Sequence, residues 1–222
     1  MLPNRCEAPS LFEVPGDNVM GAICAALAEQ GYAALPGFIS SEARAQLAST
    51  AMRLFTEGEV QTAGIGREAM RDQSIRKTAL VWIERGPALH DAFLDWCDGL
   101  RHAINQQTFL GLFEFEAHYA LYPEGGFYAR HRDSFAGARN RTVSFVLYLN
   151  EDWQPGWGGA LSLFDGETDA VRSQVLPAPG GAVFMMSESQ WHAVEVTRKP
   201  RLAIAGWWRV NQSVPGRADP PQ

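Results

Sequence analysis

The sequence predicts an α+β fold, in which a helical first half is followed by a β-barrel. Helical patterns are concentrated in roughly the first 109 residues, whereas at least seven short strands, separated by Gly, Pro and Asn turns, follow from Phe113 onward. A run of helices followed by a run of strands is typical of this class. The architecture we expect is a double-stranded β-helix, a jelly-roll or cupin-like barrel, supported by N-terminal helices.

The first elements follow from standard capping patterns. Asp17 can cap a helix over residues 19–30, and Gly31 is suited to end it. Residues 32–35 then read as a strand.

A second helix is predicted to begin near Ser40 or Ser41 and to run to about Phe55. Residues 57–66 follow, with several glycines and little periodicity, so they are expected to form a loop.

A third helix is predicted to begin at Pro87, because proline is favoured in the first turn, and to extend towards Phe109. Its His90 and His102 are expected at the surface, and His118 of the following strand is expected to be packed or at a sheet edge.

At 222 residues, the chain suits a single domain over 1–222. We expect helical support over about 17–109, a barrel core over about 113–210 and a flexible tail at 213–222.

Three side chains suited to metal binding stand in the second half of the chain. Residues i and i+2 of a strand point to the same side, so His131 and Asp133 can act together. His192, from a distant strand, can complete a set of two histidines and one carboxylate, which is the arrangement of non-heme Fe(II) oxygenases. A solvated strand edge and a packed histidine are the alternatives, but the compact turn before His131 and the apolar strand after His192 favour a metal site.

A buried arginine is predicted close to that set. Alternation along strand 201–209 places Arg201, Ala203, Ala205 and Trp207 on one face. An arginine among small and aromatic neighbours needs a partner, and its forked guanidinium suits a carboxylate.

These residues resemble the 2-oxoglutarate- and Fe(II)-dependent prolyl hydroxylases, in the branch of the animal oxygen-sensing enzymes and the bacterial elongation factor Tu prolyl hydroxylases. The similarity runs over roughly 113–209, with a weaker stretch at 74–83. Its most specific block is Leu-Tyr-Pro-Glu-Gly-Gly-Phe-Tyr-Ala-Arg-His-Arg-Asp at 121–133. Arg201 lies nine positions after His192, as in this family.

The resemblance implies that His131, Asp133 and His192 bind Fe(II), and that Arg201 pairs with the distal carboxylate of 2-oxoglutarate. It also implies the reaction, in which dioxygen and 2-oxoglutarate are consumed, succinate forms and a substrate C–H bond is hydroxylated. Ascorbate is implied as a supporting reductant.

Further roles follow from the same resemblance. Tyr148 is implied to hydrogen-bond the distal carboxylate and Tyr122 to line the co-substrate pocket, although aromatic residues on barrel strands also commonly fill the core. Trp207, Arg141 and Tyr128 are implied to line the substrate channel.

One departure from the family pattern concerns Arg141. In relatives, the matching arginine pairs with an aspartate of an Arg-Gly-Asp segment, but here that segment reads Arg-Lys-Thr at 76–78. The acidic partner is therefore missing from its expected position.

The composition limits the partners and the compartment. With 19 basic and 25 acidic residues the net charge is −6, which argues against a general nucleic-acid binder. The arginines at 130, 132, 139 and 141 form either a solvated loop or a mildly basic rim. Three scattered cysteines without CxxC spacing predict reduced thiols. The absence of a signal-peptide pattern and of a long apolar run predicts a cytoplasmic protein without a membrane segment.

Four functions remain open at this point. The first is a prolyl hydroxylase acting on a cytosolic protein, with elongation factor Tu as the candidate. The second is the same chemistry on a free amino acid or another small molecule. The third is a non-catalytic metal-binding sensor. The fourth is a zinc hydrolase with the same ligand set, which would leave Arg201 unexplained.

Overall fold

The computed structural model describes residues 10–58, 61–62, 75–134, 141–166 and 168–211. Within these ranges the first half of the chain holds the three helices and four strands. In chain order these are α1 Asp17–Gln30, β1 Tyr32–Leu35, α2 Ser41–Glu57, β2 Gln61–Thr62, β3 Arg76–Lys77, β4 Ala79–Trp82 and α3 Ala88–Thr108.

Eight more strands follow in the described part of the second half. They are β5 Leu112–Tyr122, β6 Phe127–His131, β7 Val143–Tyr148, β8 Leu161–Phe164, β9 Val171–Val175, β10 Ala182–Met186, β11 His192–Val194 and β12 Arg201–Val210. This order confirms the predicted succession of helices and then strands.

The strands form two antiparallel sheets. Among the described residues, the larger sheet has seven strands in the order β1-β10-β7-β12-β5-β4-β2, and the smaller has five in the order β3-β6-β11-β8-β9. Apolar residues of both sheets share one cluster, including Leu80, Tyr148, Leu161 and Val194, so the sheets pack face to face. The fold is the predicted α+β double-stranded β-helix with N-terminal helices.

The helices cover the outer face of the larger sheet. Phe93 and Leu100 of α3 lie in the same fully buried cluster as Phe145 of β7 and Trp208 of β12. The Trp208 indole N–H donates to the backbone carbonyl of Cys97 over 3.1 Å, which joins β12 to α3. Because the helices hold this sheet from outside, its inner face can be lined by functional side chains.

Of the four predicted helix signals, two are confirmed and two are displaced by one residue. Gly31 ends α1 in the left-handed conformation, with φ of 83°, and the Ser40 hydroxyl caps α2. However, the N-cap of α1 is Gly16, and Asp17 is already the first helical residue. Asp17 makes no cap hydrogen bond, although a carboxylate in the first turn still suits the helix dipole. Pro87 likewise lies one residue before α3, at its N-cap.

The predicted loop at 57–66 is partly wrong. Helix α2 runs through Glu57, and Gln61 and Thr62 form a short strand. Pairing with β4 supplies the backbone hydrogen bonds, so these residues need no alternating sequence pattern. Residues 59–60 and 63–66 of that loop, and the predicted tail at 213–222, lie outside the described residues.

Two expectations about α3 histidines have different outcomes. His102 is exposed, as predicted, with 61% of its side chain accessible. His90 was expected on the surface but is buried, because its Nδ1 lies 3.1 Å from the carbonyl oxygen of Glu84 and its ring packs near Tyr119.

Of the helices described here, none combines the length and apolar character needed to cross a bilayer. Cys24 and Cys97 are buried free thiols, and Cys6 lies outside the described residues.

Candidate active site

Three potential metal ligands meet between two neighbouring strands of the smaller sheet. His192 opens β11 directly opposite His131, the last residue of β6. Asp133 follows two residues later, with its carboxylate 3.4 Å from Nε2 of His131 and 3.6 Å from Nε2 of His192. The ligand atoms of all three residues lie within 4.8 Å of one another, so one ion can contact them all. The three residues that the sequence singled out are therefore brought together.

Backbone carbonyls orient both imidazole rings. Nδ1 of His131 lies 2.8 Å from the carbonyl oxygen of Ala129, and Nδ1 of His192 lies 3.2 Å from that of Gln190. A carbonyl oxygen only accepts, so each Nδ1 carries the proton and each Nε2 lone pair faces the cluster. These carbonyl partners could not be predicted from the sequence, because they are set by the backbone geometry.

The Asp133 carboxylate is held in its ionised form. The Ser144 hydroxyl donates to it over 2.6 Å and lies 2.8 Å from the hydroxyl of Ser187. Burial by itself would raise the pKa of Asp133, but His192, His131 and the Ser144 hydrogen bond together hold that pKa well below its usual range. Burial also lowers the pKa of His192 to about 4, despite the opposing effect of Asp133. Both groups are therefore in the protonation state that metal binding needs.

Arg201 is buried at the inner end of the same cavity. It begins β12, only 1% of it is exposed, and its Nε–H donates to the carbonyl oxygen of Gly159 over 2.9 Å. Its guanidinium carbon lies 4.9 Å from the ring centroid of Tyr122 and 5.1 Å from that of Tyr148. The predicted burial of this arginine is thus observed, and both tyrosines that the sequence associated with it lie beside it.

Two buried polar atoms at this inner end have no hydrogen-bond partner among the described residues: Nη2 of Arg201 and the hydroxyl oxygen of Tyr148. Burial raises the pKa of Tyr148 to about 12, opposed in part by the Arg201 guanidinium, so its hydroxyl stays protonated and able to donate. A positive fork and a hydroxyl donor that lack acceptors match the needs of a carboxylate. The inner end can therefore hold an acidic co-substrate.

A cavity of about 150 Å³ connects this anion site to the three metal ligands. The inner face of β12 lines it with Arg201, Ala203, Ala205 and Trp207, which is the face that the alternation pattern predicted. Arg201 lies at one end of this row and Trp207 at the other. The small residues between them leave room in the cavity.

The mouth of the cavity holds Arg141 against Trp207. The guanidinium carbon of Arg141 lies 3.6 Å from the ring centroid of Trp207, and its Nη2 lies 2.8 Å from a carboxylate oxygen of Glu116. The acidic partner that is missing from segment 76–78 is thus supplied by β5. Trp207 and Glu116 are direct cross-strand partners, and such proximity depends on strand register, which a linear motif does not show.

Tyr128 connects the mouth to the metal ligands. Its ring stacks on His131 at a centroid distance of 3.6 Å, and the Arg76 guanidinium carbon lies 4.6 Å from the same ring. Tyr128 was predicted to line the substrate channel, whereas Arg76 was noted only as part of a segment lacking an acid. Arg76 reaches the site because it pairs with Tyr128 across two strands. That pairing involves a strand of only two residues, which sequence patterns do not predict.

His118 is a second cavity residue that sequence reasoning did not assign to the site. It is packed, as expected, with 2% exposure, and lies between the rings of Trp82 and Trp207 at 5.2 and 5.3 Å. Burial, together with the nearby Arg76 and Arg141 charges and against the opposing Asp133 carboxylate, lowers the pKa of His118 to about 3, so the ring is neutral.

Comparison with known proteins identifies the family. Residues 117–209 match the model of the 2OG-Fe(II) oxygenase superfamily. A Pseudomonas putida prolyl-4-hydroxylase is 39% identical, with a TM-score of 0.77, and the match covers 86% of this chain and 98% of that one. The chain belongs to the 2OG-Fe(II) oxygenase superfamily. The oxygenase is accordingly a 2-oxoglutarate-dependent dioxygenase of the prolyl hydroxylase type.

Two more distant structures share the fold of this oxygenase. A Trichoplax adhaerens prolyl hydroxylase in complex with a hypoxia inducible factor peptide is 20% identical, with a TM-score of 0.75 over 87% of this chain and 90% of that one. A Phytophthora capsici prolyl 4-hydroxylase is 18% identical, with a TM-score of 0.72 over 92% of this chain and 70% of that one.

Fe(II) and 2-oxoglutarate are the groups typical of this family, and the described residues fit both. Two neutral imidazoles and a carboxylate form the donor set that Fe(II) takes in such oxygenases. The unpartnered Arg201 and Tyr148 atoms fit a co-substrate carboxylate.

Proposed function

We propose that this oxygenase is a prolyl 4-hydroxylase that acts on a protein in the cytoplasm, with elongation factor Tu as the candidate substrate. The observation that carries the proposal is the joint presence, in one cavity, of a facial set of metal ligands and a buried anion site. The 39% identity with a bacterial prolyl-4-hydroxylase supports the proline target. The sequence resemblance to bacterial enzymes that modify elongation factor Tu suggests elongation factor Tu as the protein substrate.

In this proposal, Nε2 of His131, Nε2 of His192 and the Asp133 carboxylate hold Fe(II). The carbonyls behind each Nδ1 fix the ring orientations, and Ser144 fixes the carboxylate. These partners preorganise the donors, so little rearrangement is needed when the ion binds.

Arg201 and Tyr148 bind the distal carboxylate of 2-oxoglutarate, and Tyr122 flanks the guanidinium. Because Arg201 is anchored through Gly159 and is almost fully buried, its charge is poorly screened and its fork is fixed in direction. When bound, Fe(II) and 2-oxoglutarate supply the chemistry by which dioxygen is consumed, CO₂ and succinate are released, and one oxygen enters a substrate C–H bond.

The protein's own contribution is orientation and the exclusion of side reactions. Trp207, Arg141 and Tyr128 line the mouth and position the substrate proline, and the packed aromatic wall limits the access of bulk water. The same chemistry on a free amino acid would use the same residues and differ only in what occupies the mouth.

The other two open functions are disfavoured by the same residues. A non-catalytic sensor is expected to have lost a metal ligand or the co-substrate arginine, and all four are present. A zinc hydrolase would leave the buried Arg201 and its unpartnered Nη2 without a role.

The test is mass spectrometry of purified elongation factor Tu after incubation with the enzyme, Fe(II), 2-oxoglutarate, ascorbate and air. We expect one proline to gain one oxygen, with succinate formed in equal amount. Asp133→Ala should abolish both signals, while Asp169→Ala, which removes an exposed carboxylate, should leave both unchanged.

Three outcomes separate the functions. Succinate formed with free proline but not with elongation factor Tu would indicate that the substrate is a small molecule. Oxygen gained on another residue type would overturn the prolyl assignment. Full turnover by Asp133→Ala would show that the metal ligands are misassigned.

A further inference from the structure

The cavity contains a second group of buried polar atoms without partners, separate from the pair at its inner end. In the described part of the chain, Nε of Arg76, Nδ1 of His118 and Nε1 of Trp207 are all buried and unpartnered, and all three residues line the cavity. A buried donor without an acceptor carries a desolvation penalty, so three of them in one wall indicate a ligand. We call these three residues the outer donor group.

The tautomer of His118 makes its unpartnered ring nitrogen, Nδ1, a hydrogen-bond donor. Its Nε2 lies 3.3 Å from Nη2 of Arg76. A guanidinium only donates, so Nε2 accepts, and the proton of the neutral ring is therefore on Nδ1. The Arg76 Nε–H and the Trp207 indole N–H are donors under all ordinary conditions. The outer donor group thus offers N–H groups only, and its ligand must supply acceptor oxygens.

Arg76 also contributes a positive charge that no described residue balances. The two other arginines on this side of the barrel are paired, since Arg141 lies 2.8 Å from Glu116 and Arg209 lies 3.2 Å from Glu114. Among the described residues, the Arg76 guanidinium contacts the Tyr128 ring and His118, and no described carboxylate lies within ion-pair distance of it.

The charges at the metal site and the anion site cancel when both are occupied. Once Fe(II) and 2-oxoglutarate are bound, their two positive and two negative charges offset each other, and Asp133 offsets Arg201. The Arg76 charge remains unbalanced. Because Arg76 is partly buried, its interaction with an anion is stronger than it would be in water. A neutral carbonyl would satisfy the donors but not this charge, whereas a carboxylate satisfies both.

We propose that Arg76, with His118 and Trp207, forms a specificity subsite that binds a carboxylate carried by the substrate. The inference rests on the proposed function and defines its substrate class. The subsite lies beside the reaction centre, because Arg76 and the metal ligand His131 contact the same Tyr128 ring. The carboxylate belongs either to an acidic residue flanking the target proline or to the free α-carboxyl group of a single amino acid.

The test compares acidic ligands with their amide twins. One series consists of proline peptides in which each flanking position carries Glu or Gln, or Asp or Asn, and a second pair is L-proline and L-prolinamide. Binding to the enzyme loaded with Mn(II) and 2-oxoglutarate is measured by isothermal titration calorimetry, which requires no turnover.

We expect at least one acidic ligand to bind tenfold or more tightly than its amide twin. In Arg76→Gln this ratio should fall to about one, and Arg76→Lys should retain part of it. Arg172→Gln is the matched control, because it removes an arginine that contacts Tyr32 and the carbonyl of Gln30, outside the cavity, and its ratio should equal that of the wild type. His118→Phe, which keeps an aromatic ring but removes the donor, should give an intermediate ratio.

Acidic ligands that bind no more tightly than their amide twins, including ligands that do not bind at all, would overturn the subsite. A preference that persists in Arg76→Gln would do the same. The preferred ligand, peptide or free amino acid, identifies the source of the carboxylate.

Hydroxylation assays on the same ligands with the Fe(II) enzyme keep the two proposals apart. Prolines that gain oxygen without any acid preference would preserve the proposed function and overturn the subsite. An acid preference in binding with no oxygen gained on any proline would support the subsite and overturn the prolyl hydroxylase.

Discussion

Asp133 shows how a single side chain is prepared for its role before any metal arrives. Its carboxylate is ionised and directed by Ser144, whose hydroxyl is in turn shared with Ser187. Partners of this kind commonly change metal affinity without being ligands themselves.

Ser144→Ala should therefore weaken metal binding by about 10- to 100-fold, the range typical of lost ligand partners. A competition titration with a chelator would measure it. Ser162→Ala is the matched control, because Ser162 is a buried strand serine whose hydroxyl bonds Glu195 and not a metal ligand. Equal affinity in the two variants would mean that Ser144 does not orient Asp133.

Arg201→Ala should weaken 2-oxoglutarate binding by on the order of 2 kcal/mol or more, because a buried charge-assisted pair is lost. Metal affinity should change little, since the guanidinium contacts none of the metal ligands. Calorimetric titrations with Mn(II) and with 2-oxoglutarate would separate the two effects. Arg198→Ala is the control, because Arg198 donates to the carbonyl of Gly156 and does not line the cavity. Unchanged co-substrate affinity in Arg201→Ala would show that Arg201 does not bind 2-oxoglutarate.

Residue-level prediction succeeded where chemistry is carried by a local motif. His131 and Asp133 were expected on one strand. Strand β6 ends at His131, but a separation of two residues still brings both side chains to the site. The alternation around Arg201 is readable from four neighbours. It failed where two distant strands must be in register. Glu116 of β5 reaches Arg141, which precedes β7, only because β12 pairs with both strands. Arg76 reaches His118 only because a two-residue strand joins β6.

At the scale of elements, the junction between α3 and β5 contains a strained residue. Phe109 ends the helix with φ of 54°, a left-handed conformation that is unfavourable for a residue with a side chain, and 90% of it is exposed. The helix end itself was predicted correctly, but this conformation was not, because glycine is the usual residue at such a position.

Phe109→Gly should raise the free energy of unfolding by about 1 kcal/mol, since glycine adopts this conformation without steric cost. Urea denaturation would measure the change. Phe109→Ala also removes the exposed ring but keeps Cβ, so it should lack this gain. Equal stabilisation by both variants would attribute the effect to loss of the exposed aromatic surface.

Element boundaries were predicted where they depend on neighbouring residues, and were missed where they depend on pairing with distant strands. The caps at Gly31 and Ser40 follow from local chemistry and were predicted, and β1 was predicted with its observed bounds. Strand β2 was missed because its two residues are held by β4 and not by their own pattern. The surface assignment of His90 failed for the same reason, since Tyr119 covers it from β5.

At the scale of the whole molecule, two buried neutral histidines make stability depend on pH. The pKa of His192 is lowered to about 4 and that of His118 to about 3, whereas both titrate near 6.5 when unfolded. Between these values the unfolded state binds more protons, so stability falls as the pH drops below about 6.5. Each histidine contributes a slope of up to about 1.4 kcal/mol per pH unit.

The metal-free enzyme should therefore lose stability between about pH 6 and 4.5, and His118→Gln should lose it less steeply. Urea midpoints measured across this range would give the slopes. His102→Gln, which replaces an exposed histidine, is the control and should follow the wild type. Parallel curves for all three proteins would show that His118 is not kept neutral by burial.

The positions of the ligands have a consequence for the integrity of the barrel. His131 and His192 belong to the five-stranded sheet, whereas Asp133 is tied through Ser144 to β7 of the seven-stranded sheet. An ion held by all three is thus a cross-link between the two layers at the open end of the barrel. In an iron-poor cell the enzyme would lose that cross-link together with its activity. Because an ion that binds only the folded state stabilises it, the iron-depleted enzyme is expected to be cut by proteases faster than the loaded enzyme.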